Sequence, residues 1–199
     1  MPAPARTSRD AIVLAARALL EDGGLDAVVM GAVAERVGVR GPSLYKHVAD
    51  RAALIRAVGD AVTADLGATL AAAMSGDDPA ADLRSVALAY RAFVRANPNS
   101  YGLLFAHLEP DLQPDATAVA DLGRPIVAAV HRLVGEAGPD ALEAGRTFVA
   151  WAHGFVSMEL AGAFRLGGDL DAAYSTGIDL ILTALSGSAF PSSGSRRTG

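Results

Sequence analysis

Tyr45, Lys46 and His47 stand in a row, with Arg40, Gly41 and Ser43 just before them and Arg51 just after. A phenol, an ammonium and an imidazole all donate to oxygens, and all suit a polyanion. Tyr45, Lys46 and Arg51 fit phosphate oxygens, which set register without reading sequence, and His47 can serve phosphate or base. Gly41 and Ser43 are small enough for the backbone to approach base edges. Other chemistries find little support. The chain has no cysteine, which excludes disulfides, thiolate metal sites and cysteine nucleophiles. Its four histidines, His47, His107, His131 and His153, are far apart, and none has a partner at i, i+4, so no metal site is expected. With no nucleophile–base set and no Gly-rich phosphate loop, neither an enzyme nor a cofactor is expected.

Residues 38–54 read as a turn, a very short helix and the capped start of a longer one. This is the layout of a helix-turn-helix, which lays one small exposed helix into the major groove of DNA. Gly38 falls where the turn needs a residue tolerant of positive φ, and Pro42 presets φ in the first turn of the short helix. Leu44 and Val48, four apart, must share the inward face, which leaves Arg40, Gly41, Ser43, Lys46 and His47 outward.

Helical periodicity and caps recur along the whole chain and strand signals are nearly absent, so the predicted fold class is all-α. The first helix is expected after Thr7, with Asp10 completing a capping box, ending at Gly23-Gly24. Further helices are predicted near 30–37, 42–48 and, from an Asp50 cap, 51–74. After Gly76-Asp77-Asp78-Pro79 another runs to Asn97, where Asn97-Pro98 opens a short one. Residues 107–115 read as a loop, followed by helices near 116–135, 139–166 and 169–185. Ile12, Leu19, Leu25, Val33, Val37, Val39, Leu44, Val48 and Leu54 form the apolar set of the first four helices. The expected domains are 1–55, a three-helix helix-turn-helix domain, and 56–185, a larger helical domain joined through a long helix. The Ser/Gly-rich stretch 186–199 is expected to be a disordered tail.

The 199 residues carry a net charge of −5. Residues 1–51 hold seven Arg/Lys against six Asp/Glu, and the remainder ten against sixteen, so the acidity lies outside the helix-turn-helix. Lys46 is the only lysine. The most apolar run, 147–164, contains His153 and Glu159 and is short of the roughly 20 clean residues of a membrane span. With no signal-peptide core at the start, a soluble, cytoplasmic chain without a membrane partner is expected.

In the 139–166 helix, Thr147, Ala150, Gly154, Ser157 and Ala161 make a small-residue stripe that lets another helix approach closely. Phe148, Trp151, Phe155 and Met158 make a bulky stripe beside it, read as interior. Trp151 and His153 lie about 200° apart at roughly 100° per residue and cannot line one pocket. Phe93, Tyr101, Phe105, Phe148, Trp151 and Phe155 either line a cavity for a moderately apolar small molecule or form plain core.

Gly38-Val39, Ser43-Leu44-Tyr45, His47-Val48, Asp50-Arg51 and Leu54, with Ala15-Ala16, Leu19, Gly23, Val33 and Ala34 upstream, resemble the DNA-binding module of TetR-family (tetracycline-repressor-like) transcriptional regulators over residues 8–55. The resemblance implies that Arg40, Gly41, Ser43, Tyr45, Lys46 and His47 face DNA and that Arg51 contacts a phosphate. Two departures stand out. Val29 replaces the usual Ser or Thr cap of the second helix, and Gly31 replaces a basic or polar residue. Tyr90-Arg91-Ala92-Phe93, Asn97-Pro98, Tyr101 and Trp151-Ala152-His153-Gly154 resemble the Trp-His-Gly type of C-terminal domain in that family. By resemblance the last two helices pair across a homodimer, with Ala150, Gly154, Ser157 and Ala161 at the interface, and the protein is a repressor. It would release a near-palindromic double-stranded operator when an unidentified small-molecule effector binds. The alternative is a helical adaptor or small-molecule-binding protein without specific DNA binding.

Overall fold

The computed structural model describes residues 7–106, 109–136 and 140–187. Among them the helices are α1 (Arg9–Gly23), α2 (Met30–Arg36), α3 (Gly41–Leu44), α4 (Arg51–Ala72), α5 (Pro79–Ala96), α6 (Pro98–Phe105), α7 (Ala116–Asp121), α8 (Arg124–Val134), α9 (Ala141–Leu160) and α10 (Leu170–Ser186). No strand occurs among the described residues, and no helix there is long and apolar enough to cross a membrane. The fold is all-α, with two compact units: residues 1–67 with 96–121, and residues 68–95 with 122–199.

In the first unit the first helix starts one residue later than expected. Ser8, not Thr7, caps α1, its hydroxyl accepting the Ala11 N–H at 3.1 Å. Ile12, Val33, Leu44, Val48 and Leu54 of the predicted apolar set are buried, joined by Val28, while Leu19, Leu25, Val37 and Val39 are half-buried. Gly38 has φ 71°, a left-handed value that costs an L side chain but not glycine. Asp50 caps α4, its Oδ1 accepting the Ala53 N–H at 2.7 Å.

Residues 96–121 belong to this unit and not, as the expected boundary after residue 55 implied, to a body that begins there. Side chains far apart in sequence explain it. The Glu21 carboxylate accepts the Asn99 N–H at 3.3 Å and the Ser100 N–H at 2.5 Å. These bonds satisfy donors at the open N-terminus of α6. Further on, Arg56 donates to the Asp111 carbonyl, and Asp60 accepts the Asp115 N–H at 3.1 Å. Between them Pro114 lies on Gly59, so close that a Cβ there would sit 2.9 Å from its ring.

The predicted 116–135 helix is broken between α7, in the first unit, and α8, in the second. Pro125 lacks an N–H, and its ring crowds the carbonyl four residues back. The predicted 139–166 helix ends at Leu160: Gly162 turns left-handed (φ 62°) and the Ala163 N–H bonds the Met158 carbonyl at 2.9 Å, a common way for a helix to close. Residues 188–199 of the expected tail lie outside the described residues.

Polar side chains tie the second unit together. Arg91 of α5 donates Nε and Nη2 to the two carboxylate oxygens of Glu159 (2.7 and 2.8 Å), and Nη2 also meets Asp171 at 2.8 Å. The guanidinium lies 4.9 Å from the Tyr174 ring centre, and Tyr174 donates its hydroxyl to the Ala87 carbonyl at 2.9 Å. Hydrogen bonding to Arg91 holds the Glu159 carboxyl below its usual range, against the opposing effect of burial. Near the start of α5, buried Asp82 accepts from Ser75, Gly76 and Arg132. Desolvation pushes its pKa up, but these bonds outweigh it and leave the carboxyl lowered.

Candidate nucleic-acid interface

Three short elements present the predicted polar cluster. Val29 caps α2 with no side-chain hydrogen bond, so the departure seen in sequence leaves that helix start without a side-chain acceptor. The Val39 N–H then closes the turn on the Ala34 carbonyl at 2.9 Å. Arg40, extended at φ −80° and ψ 146°, caps α3, and the Ser43 N–H bonds its carbonyl at 2.9 Å. α3 is four residues long, shorter than the predicted 42–48, but the chain keeps turning. Both His47 and Val48 N–H groups bond the Leu44 carbonyl, at 2.8 and 3.0 Å.

Leu44 and Val48 are buried, at 0 % and 6 % exposure, and they set which way the rest point. Arg40, Tyr45, Lys46 and His47 are exposed, while Gly41 and Ser43 are half-buried. These six therefore share one outward surface, as spacing predicts for all but Tyr45, whose outward place the resemblance implied. An added Cβ at Gly41, or at Gly31 in α2, would meet no neighbour, so this surface is open around both glycines.

Arg51 is placed differently. The resemblance implies a phosphate contact, but the half-buried guanidinium donates from Nε to the Val28 carbonyl and from Nη2 to the Leu25 carbonyl, both at 2.7 Å. Val28 and Leu25 belong to the tight turn between α1 and α2, where the Leu25 carbonyl also accepts the Val28 N–H at 3.2 Å, and the charged donor adds a bond to each carbonyl. Arg51 thus holds the turn before α2. Nothing local in the sequence marks this role, because the acceptors lie more than twenty residues upstream.

The six aromatic residues do not form one set. Tyr101 and Phe105 belong to the first unit, their ring centres 4.9 Å apart, with Tyr101 buried and Phe105 exposed. Phe93, Phe148, Trp151 and Phe155 belong to the second. There Trp151 stacks on Tyr174 at 5.1 Å, Phe155 meets Tyr174 edge-on at 5.0 Å, and Phe148 is fully buried. The Trp151 ring lies so tightly over Gly177 that an added Cβ would overlap it. These rings pack as core. An open groove of about 630 Å³ in this unit is lined instead by Asp78, Arg84, Asp179, Leu182 and Thr183 among others, none of them in the aromatic set.

His153 points away from Trp151, as the helical angle requires. Its Nδ1 lies 3.4 Å from the Tyr90 hydroxyl and its Nε2 3.5 Å from that of Ser157, and burial pushes its pKa down. Of the small-residue stripe, Ala150 and Ala161 are exposed and Gly154 and Ser157 half-buried, and a Cβ at Gly154 would meet nothing. Met158, assigned to the interior with the bulky stripe, is 47 % exposed instead, because it lies near the end of α9 beside the exposed 160–163 turn.

Comparison with known proteins agrees with this geometry. A model described as bacterial regulatory proteins, tetR family, matches residues 12–58, and one described as tetracyclin repressor-like, C-terminal domain, matches residues 83–181. The uncharacterized HTH-type transcriptional regulator Rv0681 of Mycobacterium tuberculosis is 32 % identical over 164 residues, 80 % of this chain and 73 % of that protein. The transcriptional regulator SCO7222, a TetR from Streptomyces coelicolor, shares the fold at 23 % identity and a TM-score of 0.71, over 90 % of this chain and 98 % of its own. So does a TetR variant from Acinetobacter baumannii AYE in complex with minocycline, at 21 % identity and a TM-score of 0.62, over 89 % and 96 %. The chain belongs to the TetR family of helix-turn-helix transcriptional regulators.

Proposed function

We propose that this regulator is a homodimeric repressor that holds a near-palindromic operator and releases it when a small molecule binds its C-terminal part. The observation that carries the DNA-binding half is the state of the side chains on the α3 surface. Arg40, Tyr45, Lys46 and His47 are exposed and make no side-chain hydrogen bond or ion pair among the described residues. Arg17, Arg36, Arg51 and Arg56 in the same unit all bond acceptors within it. Cations left unpaired on an open face favour phosphate and base contacts from outside. Two copies of α3 would enter successive major grooves about one helical turn apart.

Dimerisation is supported by the outer faces of α9 and α10. They expose Leu142, Val149, Leu160 and Leu180 beside the small stripe of Ala150, Gly154, Ser157 and Ala161. An apolar surface with small residues at helical spacing suits a second helix pair. The effector half draws on the neighbour that binds minocycline. Phe93, Trp151 and Phe155, half-buried, are the aromatic side chains an effector would reach first. An effector releases DNA only by binding the non-binding shape more tightly.

Fluorescence anisotropy with duplex DNA from upstream of the chain's own gene, against a scrambled duplex at two salt concentrations, tests the reading. Specific binding about 10³-fold or more tighter than to the scrambled duplex is expected, falling steeply with salt. Equal, weak binding to every duplex tried, genome-wide selection included, sinks it in favour of an adaptor without specific DNA binding.

A further inference from the structure

We infer that Lys46 reads a base, its ammonium donating to O6 and N7 of a guanine in the major groove, and is a specificity-determining residue rather than a phosphate contact. This rests on the DNA-binding reading above and goes beyond it by dividing the α3 surface into a floor and two walls.

The division follows from the two buried anchors. Leu44 and Val48 point inward, and the Val48 N–H bond to the Leu44 carbonyl shows that the helical turn continues between them. At about 100° per residue, Lys46 then lies opposite the mean direction of that pair. Tyr45 and His47 lie about 100° to either side of it. A helix seated in a groove about 12 Å wide turns its outermost side chain to the base edges and its flanking side chains to the strands. Tyr45 and His47 therefore meet the backbone walls, and Lys46 the floor.

What else reaches the floor strengthens the assignment. Pro42, four residues before Lys46 on the same outward face, is exposed and has no N–H to donate. Ser43, half-buried, carries a single hydroxyl donor. Arg40 lies before the helix in extended backbone, so within the helical turn itself Lys46 alone brings a long cationic donor, and guanine alone presents two acceptors side by side in the major groove. The ammonium is also unclaimed. Asp50, the acid four residues on, accepts the Ala53 N–H as the cap of α4, and Lys46 has no ion pair among the described residues.

The test is selection of duplexes from a randomised pool by the full-length chain, wild type and Lys46→Ala, followed by titration of the selected site with 7-deazaguanine in place of each guanine. Wild type should enrich half-sites with a fixed guanine, and 7-deazaguanine at that position should weaken binding at least about tenfold. Lys46→Ala should lose the guanine preference and become indifferent to the analogue, with an unchanged unfolding midpoint. A variant that keeps the guanine preference while weakening all sequences alike, with a shallower salt dependence, overturns the inference and leaves DNA reading intact. A wild-type chain that enriches no half-site overturns both.

Discussion

The α3 surface and the Arg91 cluster use cations in opposite ways. On α3, Arg40 and Lys46 stand exposed with no partner among the described residues, and the residues that hold them in place are apolar. Around Arg91, the guanidinium meets two carboxylates and two aromatic rings. The first arrangement gains nothing from folding and has much to offer a partner. The second is part of what holds α5 to α9 and α10. Arg51 shows that sequence position does not settle which use applies, since it lies beside the outward cluster yet bonds inward.

Removing the inward charges should therefore cost stability, and removing the outward ones should not. Arg91→Ala carries the largest expected effect. It leaves Glu159 largely buried without its bidentate partner. Loss of one member of such a pair costs about 3 kcal/mol. Urea unfolding reads this; a loss under about 1 kcal/mol would mean that solvent already screens the pair. The same variant changes the pH profile. The Glu159 and Asp82 carboxyls are held below their ordinary values, so the stability they contribute is present at neutral pH and lost as pH falls through the carboxylate range. His153, lowered by burial, adds a loss on the same side, beginning as pH drops below its ordinary value of 6.5. Arg91→Ala should shrink the lower step and His153→Gln remove the upper one.

Arg51→Ala and Lys46→Ala set the comparison within one stretch of chain. Arg51→Ala strips the Val28 carbonyl of its charged donor and leaves the Leu25 carbonyl only the Val28 N–H. Losing these two charged bonds should cost about 2 kcal/mol. Lys46→Ala should leave the unfolding midpoint within the error of the measurement, because an exposed side chain with no partner supports nothing. If Arg51→Ala unfolds like wild type but loses DNA affinity, Arg51 is a phosphate contact after all, and its inward bonds are broken when DNA binds.

Gly177→Ala probes the aromatic core. The new Cβ would overlap the Trp151 ring, and a ring already stacked on Tyr174 yields only by leaving that stack. Overpacking of this kind should cost about 2 kcal/mol. Trp151 is the only tryptophan, so its emission spectrum reports the shift directly. An unchanged spectrum and stability would show that the ring has room to move, as a cavity lining would.

These differences also explain what the sequence could and could not reveal. Leu44 and Val48, Gly38, the cap at Asp50 and the break at Asn97-Pro98 act within a few residues of themselves, and the exposure of Arg40, Tyr45, Lys46 and His47 follows from the first of these. The inward turn of Arg51, the burial of Asp82, the Arg91–Glu159 pair and the fit of Trp151 over Gly177 each need a partner seven to sixty-eight residues away. No periodicity marks such a pairing. The placement of residues 96–121 in the first unit belongs with these, since it depends on Glu21 reaching Asn99 and Ser100.

The smallest expected effect lies at the start of α2, which has no side-chain cap. Val29 occupies the cap position of α2 at φ −115 and ψ 145, in extended backbone. A capping Ser or Thr adopts the same conformation. The Val29 side chain is 46 % exposed, so a change there disturbs little packing. Val29→Thr keeps the β-branched shape and adds an oxygen that can accept an N–H from the first turn. It should raise stability by about 0.5–1 kcal/mol, seen as a higher unfolding midpoint. A gain in stability with no change in DNA affinity places α2 on the inward, fold-holding side of the comparison. A gain accompanied by tighter binding would instead mean that fraying at the start of α2 weakens the grip of α3, and that the absent cap tunes affinity.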